Sequence, residues 1–174
     1  TLKRLFARLR LEVNEAKSTV ARAWERKFLG YSFWVAKGRV IRPRVAPAAL
    51  AAMKARVRLI TSRSGGRSMT KVAGELRSYL TGWKLYFRLA ETPSIFRGLD
   101  QWLHRRRRAV QLKQWKRGTT AYRELRARGV PDRAARAAAA HARRWWAMAA
   151  HGGLQTARPT SYFDRLGVPR LAGR

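Results

Sequence analysis

Cysteine is missing from all 174 residues, which excludes disulfides, zinc–thiolate sites and thiol nucleophiles. Acidic residues are nearly missing too: 9 stand against 40 lysines and arginines, for a net charge of +31. The few carboxylates do not cluster. Glu12, Glu15 and Glu25 are spread over mixed structure, and Asp100, Asp132 and Asp164 stand singly, whereas two-metal nucleotidyl transfer needs grouped carboxylates. His104, His141 and His151 lie far apart with no His-x-x-x-His spacing, so no metal ligand set is read. A Gly-rich phosphate loop and a Ser-His-Asp set are likewise absent. No apolar run is long enough to span a bilayer, and no signal peptide opens the chain. A cytosolic or nucleoid setting is therefore the default expectation. Thr1 is not an initiator Met and the first residues read as mid-helix, as in a piece of something longer.

What is present is a foldable composition, 46% hydrophobic and 10% aromatic, well outside the disordered range. A charge of +31 confined to one body repels itself unless a polyanion neutralises it. An anionic membrane surface would also attract it, and a coding bias could exchange Lys for Arg. No long apolar run supports a membrane, and a coding bias does not explain why acids are so scarce. Nucleic acid is the partner that the composition favours.

Periodicity outlines a mainly α chain. Leu2, Leu5, Phe6 and Leu9 recur at helical spacing. The β-prone run from Phe28 to Val35, the turn Lys37-Gly38-Arg39 and the run Val40-Ile41-Arg42-Pro43 read as a β-hairpin over 28–42. Pro47 suits a first helical turn, and Leu50, Met53, Val57 and Ile60 stripe a helix behind it. Ser68 is a good N-cap for a second helix striped by Val72, Leu76, Tyr79, Leu80, Trp83 and Phe87. A third starts after Thr92-Pro93-Ser94 and runs through the basic stretch toward Gly118. Three such helices with short loops make an antiparallel bundle. Beyond it, a helix over about 119–128 ends at Gly129, and an Ala-rich helix over about 132–150 carries Trp145-Trp146 and stops at Gly152-Gly153. Residues 154–174 read as mostly loop, with one turn near Tyr162-Phe163.

Between Glu25 and Glu75 no acid occurs, while the cations include Lys27, Lys37, Arg39, Arg42, Arg44, Lys54, Arg56, Arg58, Arg63, Arg67 and Lys71. A solvated helix face normally interleaves both signs, so phosphate is the natural partner here. Arg105, Arg106, Arg107 and Arg108 with Lys113, Lys116 and Arg117 wrap a helix that also carries Trp102 and Trp115. Four successive arginines point all round a helix, so some contact ligand and some shield the bundle. Trp115 either packs in a core or stacks on an unpaired base. Trp145 and Trp146 cannot both face one core. Gly82 inside a helix costs about 1 kcal/mol relative to Ala, and close approach of another element is the expected reason.

Several short motifs then occur in order: Leu11-x-x-Asn14-x-x-Lys17-Ser18, Phe28-Leu29-Gly30-Tyr31-Ser32-Phe33, Gly82-Trp83-x-x-Tyr86-Phe87, Leu99-Asp100-x-Trp102-Leu103-x-Arg105-Arg106, Trp115-Lys116, Gly129-Val130 and Trp145-Trp146. The series resembles the C-terminal part of bacterial group II intron reverse transcriptase/maturases. The resemblance implies three regions: 1–42 as the end of the palm, 43–110 as the helical thumb or domain X (maturase), and 111–174 as the DNA-binding domain. It implies that Lys17 matches the motif D lysine, a general acid, and that Phe28, Leu29, Gly30 and Tyr31 match the primer grip. Trp83 and Tyr86 match positions of the bundle core. Lys54, Arg56, Arg58, Arg63, Arg67, Lys71 and Arg105 to Arg108 are the candidates for intron RNA and template–primer. Lys113, Trp115, Lys116, Arg117, Arg143 and Arg144 are those for DNA. The family's Tyr-x-Asp-Asp motif is not in this sequence, so polymerisation would need an upstream finger/palm region. The Mg2+ expected for the parent polymerase would sit there, with no cofactor bound by this chain.

The reading is thus an RNA-binding maturase/thumb portion that assists splicing and clamps template–primer for intron mobility. A stand-alone basic RNA-binding protein of ribosomal or chaperone type is the alternative. A transposase-like DNA binder is a further rival, disfavoured because no compact recognition-helix signal is visible.

Overall fold

In a computed structural model of the chain, the structure describes residues 2–12, 14, 20–62 and 66–173. Lys17 and Arg63 lie outside the described residues. A short helix α1 (Leu2–Arg8) and a 3-10 turn (Ala23–Glu25) precede strands β1 (Lys27–Phe28), β2 (Tyr31–Val35) and β3 (Ile41–Val45). These pair antiparallel in the order β1-β2-β3, with Phe28 opposite Tyr31 and Phe33 opposite Pro43. The expected hairpin is therefore a three-stranded meander. Leu29 and Gly30 form the two-residue turn between β1 and β2, both with positive φ (48° and 79°), as a type I′ turn requires. Two residues are too few to show as a gap in hydropathy, which is why β1 and β2 read as one run. Pro43 is tolerated because β3 lies at the sheet edge, and its carbonyl accepts the Glu91 N–H at 2.8 Å.

Helices α2 (Pro47–Ile60), α3 (Met69–Tyr86) and α4 (Pro93–Gln114) follow. Pro47 opens α2, and the Ser68 side chain caps α3 by accepting the Lys71 N–H at 3.2 Å. Met53, Val57, Val72, Leu76, Leu80, Trp83, Leu99 and Leu103 fill the first core, which Val45 joins from the sheet. Five smaller helices complete the chain: α5 (Gly118–Arg126), α6 (Asp132–Ala140), α7 (Trp145–Met148), α8 (Gly152–Ala157) and α9 (Thr160–Arg165). Ala109, Leu112 and Trp115 from the end of α4 make a second core with α5, α6 and α8. Helix α4, 22 residues long, thus threads both cores over about 33 Å. Gly129, at φ 76°, closes α5 with the Val130 N–H on the Leu125 carbonyl, a left-handed C-terminal cap.

The structure departs from periodicity in three places. The Ala-rich helix stops at Ala140, and a turn through His141–Arg144 leads into α7. Buried Ala135, Ala138, Ala142 and Ala149 continue one stripe across that break, and no Gly or Pro marks it. Gly152-Gly153 starts helix α8 instead of ending one, with the His151 ring accepting the Gly153 N–H. The tail is ordered as α8 and α9, and it returns to the first core through Val168 and Leu171. Asp100 holds that return by accepting the Leu171 and Ala172 N–H groups at 2.9 Å. Gly82 has no packing reason, since a Cβ there would meet nothing within 4 Å.

Candidate nucleic-acid interface

Ion pairs are few relative to the cations. Among the described residues, Arg42, Arg67, Arg128, Arg136 and Arg170 meet carboxylates. Other described cations meet aromatic rings, backbone carbonyls, hydroxyls or His104, and one group of them spans α2 and α4. Lys54 and Arg58, one helical turn apart on α2, lie over the ring of Trp102 on α4 at 6.0 and 5.8 Å. Arg106, one turn beyond Trp102, lies over the same ring at 6.0 Å. Its guanidinium also donates to the Thr61 hydroxyl at 2.8 Å and to the Arg58 carbonyl. Neither Lys54 nor Arg58 has a carboxylate partner among the described residues. Three like charges around one ring raise the local potential, and a cation over an indole face is held by the ring quadrupole.

The expected cations separate into distinct roles. Arg56 lies two residues from Lys54, about 200° around the helix, on another side from the Trp102 contact, and its charge acts on the Tyr79 hydroxyl of α3. Arg67 is committed internally: it pairs with Glu75 at 2.8 Å and donates to the Leu59 and Ile60 carbonyls. Together with Arg106 it meets the carbonyl end of α2, where the helix dipole favours cations. Lys71 is exposed on the first turn of α3. Side-chain caps at a distance of several residues leave no sequence signal, so these capping roles could not be read beforehand.

Within the arginine tetrad the faces diverge. Arg105 donates Nε–H to the Trp146 carbonyl at 2.9 Å and stacks over the Trp146 ring at 4.2 Å. Arg107 is only 3% exposed, so it reaches no external phosphate in this conformation. It lies over Phe163 at 4.7 Å and donates to His104 Nδ1 at 2.7 Å, while its Nε and Nη1 have no partner. Burial first, then the Arg107 and Arg108 charges, push His104 down to about 4. At neutral pH it is therefore an uncharged acceptor for Arg107. Burial also lowers Arg107 to about 10, which leaves it protonated. Arg108 is buried too and donates to the Arg158 carbonyl at 3.0 Å. Those two inward arginines are the shielding members of the tetrad.

Past the tetrad, Lys113 lies over Trp145 at 4.4 Å. Trp115 is a core residue of the second cluster, with Arg128 over it at 5.7 Å. Lys116, Arg117, Arg143 and Arg144 are exposed. Trp145 packs on the second core while Trp146 is 38% exposed, so the pair does divide between inside and outside.

At the opposite end of the first core, Phe28, Leu29, Tyr31 and Phe33 form an open apolar groove with Pro43, Leu85, Tyr86 and Leu89. Tyr86 is not a core residue: it is 54% exposed and donates its hydroxyl to the Leu29 carbonyl at 2.9 Å. Tyr31 donates back to the Tyr86 carbonyl. Gly30 sits against Phe87, whose ring would lie 3.2 Å from an added Cβ. The glycine therefore serves both the turn and the sheet–helix contact.

Among the described residues no group of three or more acidic or histidine side chains could hold a metal ion. Asp100 is taken up by backbone N–H groups and Asp164 by Arg170. The donor set of the described residues does not fit a polymerase Mg2+. No helix of the described residues is long and apolar enough to cross a membrane.

Residues 50–129 match the family described as the group II intron, maturase-specific domain. No curated protein matches the chain. The matched span runs from α2 to the end of α5 and so includes the whole cation–tryptophan group on α2 and α4.

Proposed function

We propose, from the match of residues 50–129 to the group II intron maturase-specific domain, that the chain binds intron RNA on the α2–α4 face and assists splicing by holding the folded ribozyme. The observation that carries this reading is the convergence of Lys54, Arg58 and Arg106 on Trp102. Such a face neutralises phosphates from a rigid two-helix base, and counterion release supplies the binding free energy. Selectivity then comes from RNA shape more than from base edges.

Template–primer clamping is the finer part of the proposal. The groove at Phe28, Leu29 and Tyr31, with Gly30 in the turn between them, would meet the primer strand, with Tyr86 and Leu89 as its helical wall. Lys113, Lys116, Arg117, Arg143 and Arg144 would carry contacts to target DNA, and a finger/palm region would supply the catalytic metal site.

The test is a splicing assay with a group II intron precursor RNA and the full chain. The expected result is RNA-dependent complex formation and faster splicing, both lost in the K54E/R58E variant while its circular dichroism stays helical. A chain that is folded yet indifferent to the RNA at low ionic strength refutes the proposal.

A further inference from the structure

On helix α4, Trp102, Arg105 and Arg106 share one face, at spacings of three and four residues. The two aromatic rings of that face are not sealed in a core. Trp146 is 38% exposed and is fixed from behind by Arg105, over its ring at 4.2 Å and on its carbonyl at 2.9 Å. Trp102 is half-buried, with an edge against the first core and Lys54 and Arg58 beside it. Trp102 and Arg105 are separated by about 4.5 Å along the axis, and Arg105 lies over the Trp146 ring at 4.2 Å, so both rings flank the same stretch of α4.

A surface built only for an A-form duplex needs cations spaced along the backbone, because paired bases offer no face to stack on. Indole rings set among those cations have a use when bases are unpaired. We propose that Trp102 and Trp146 are stacking positions for unpaired nucleotides of the bound RNA, with Lys54 and Arg58 on the phosphates between them. The α2–α4 face then selects a single-stranded loop or junction, which rests on the RNA-binding reading above and narrows it. Arg105 has a positioning role: its two contacts hold the short α7 helix and so present the Trp146 ring.

The experiment compares a mixed-sequence single-stranded oligoribonucleotide with its fully paired duplex, at matched salt, on the full chain. Trp146→Ser and Trp102→Leu are each expected to weaken single-strand binding by about 5- to 150-fold, the range of one lost stacking contact. Duplex binding stays unchanged, and Trp146→Phe retains most of the single-strand affinity. Trp146 is a surface side chain, so its variants decide the matter even where Trp102→Leu lowers stability. Unchanged single-strand binding in the Trp146→Ser chain, or equal loss on duplex and single strand, overturns the inference. K54Q/R58Q separates the two levels: if it weakens both ligands while the tryptophan variants weaken neither, the stacking role fails and the RNA-binding reading stands. If it too changes nothing, the α2–α4 face is not the site and both readings fail.

Discussion

Replacing Lys54 and Arg58 by glutamine removes two cations from one face of α2 without disturbing its buried stripe of Met53, Val57 and Ile60. Both side chains lie beside Trp102 and lack carboxylate partners among the described residues, so each is expected to neutralise one phosphate. Each contact adds about 0.9 to the slope of log K against log salt on duplex and about 0.7 on single strands. The double variant should therefore flatten the slope by about 1.4 to 1.8. Between about 50 and 200 mM salt, its affinity should fall roughly tenfold less than that of the unaltered chain. Fluorescence anisotropy with labelled intron RNA over a salt series reads this directly. Arg56→Gln is the control, because Arg56 lies about 200° around the helix from Lys54. An unchanged slope in K54Q/R58Q, or an equal flattening in Arg56→Gln, refutes the placement of the site.

Other consequences concern the scaffold. Gly30→Ala forces a side chain into a φ of 79° with the Phe87 ring 3.2 Å away, and should cost about 1–2 kcal/mol or more in urea unfolding; an unchanged midpoint would reject the tight turn. His104 titrates near 4 when folded and near 6.5 when unfolded. The unfolded chain therefore binds the extra proton first, and stability falls as pH drops from about 6.5 toward 4, by no more than about 1–2 kcal/mol because solvent screens the half-buried ring. Melting curves of a His104→Gln chain should lose that acid dependence, and an identical pH profile would contradict it. Leu125→Ala, at a fully buried position of the second core, should cost about 3–5 kcal/mol; a loss under about 1 kcal/mol would mean that α5 does not pack as described.

The three-helix bundle was legible because its signals are local: Pro47 and Pro93 at helix starts, Ser68 as a cap, and apolar stripes that hold to their period. Gly129 was legible for the same reason. The break at His141–Arg144 was not, because the alanine stripe carries through it and only tertiary bonds, such as Arg105 to the Trp146 carbonyl, fix the new direction. The candidate site was half visible. Charge without acids pointed to α2 and α4, but the sequence treats Arg105 to Arg108 alike, whereas packing against Phe163 and the Arg158 carbonyl turns Arg107 and Arg108 inward. Arg67 read as a free cation because Glu75 lies eight residues away, beyond the i,i+4 spacing that marks helical ion pairs. The resemblance matched Tyr86 to a bundle-core position, yet it lies on the rim of the sheet–helix groove.

Ultraviolet crosslinking of bound group II intron RNA to the full chain, with the adducts mapped by mass spectrometry, tests the RNA-binding face most directly. Adducts should fall on residues 47–60 of α2, on 102–106 of α4 and on Trp146. Adducts confined to the β-sheet and the α8–α9 tail, with α2 and α4 clear, would contradict the account.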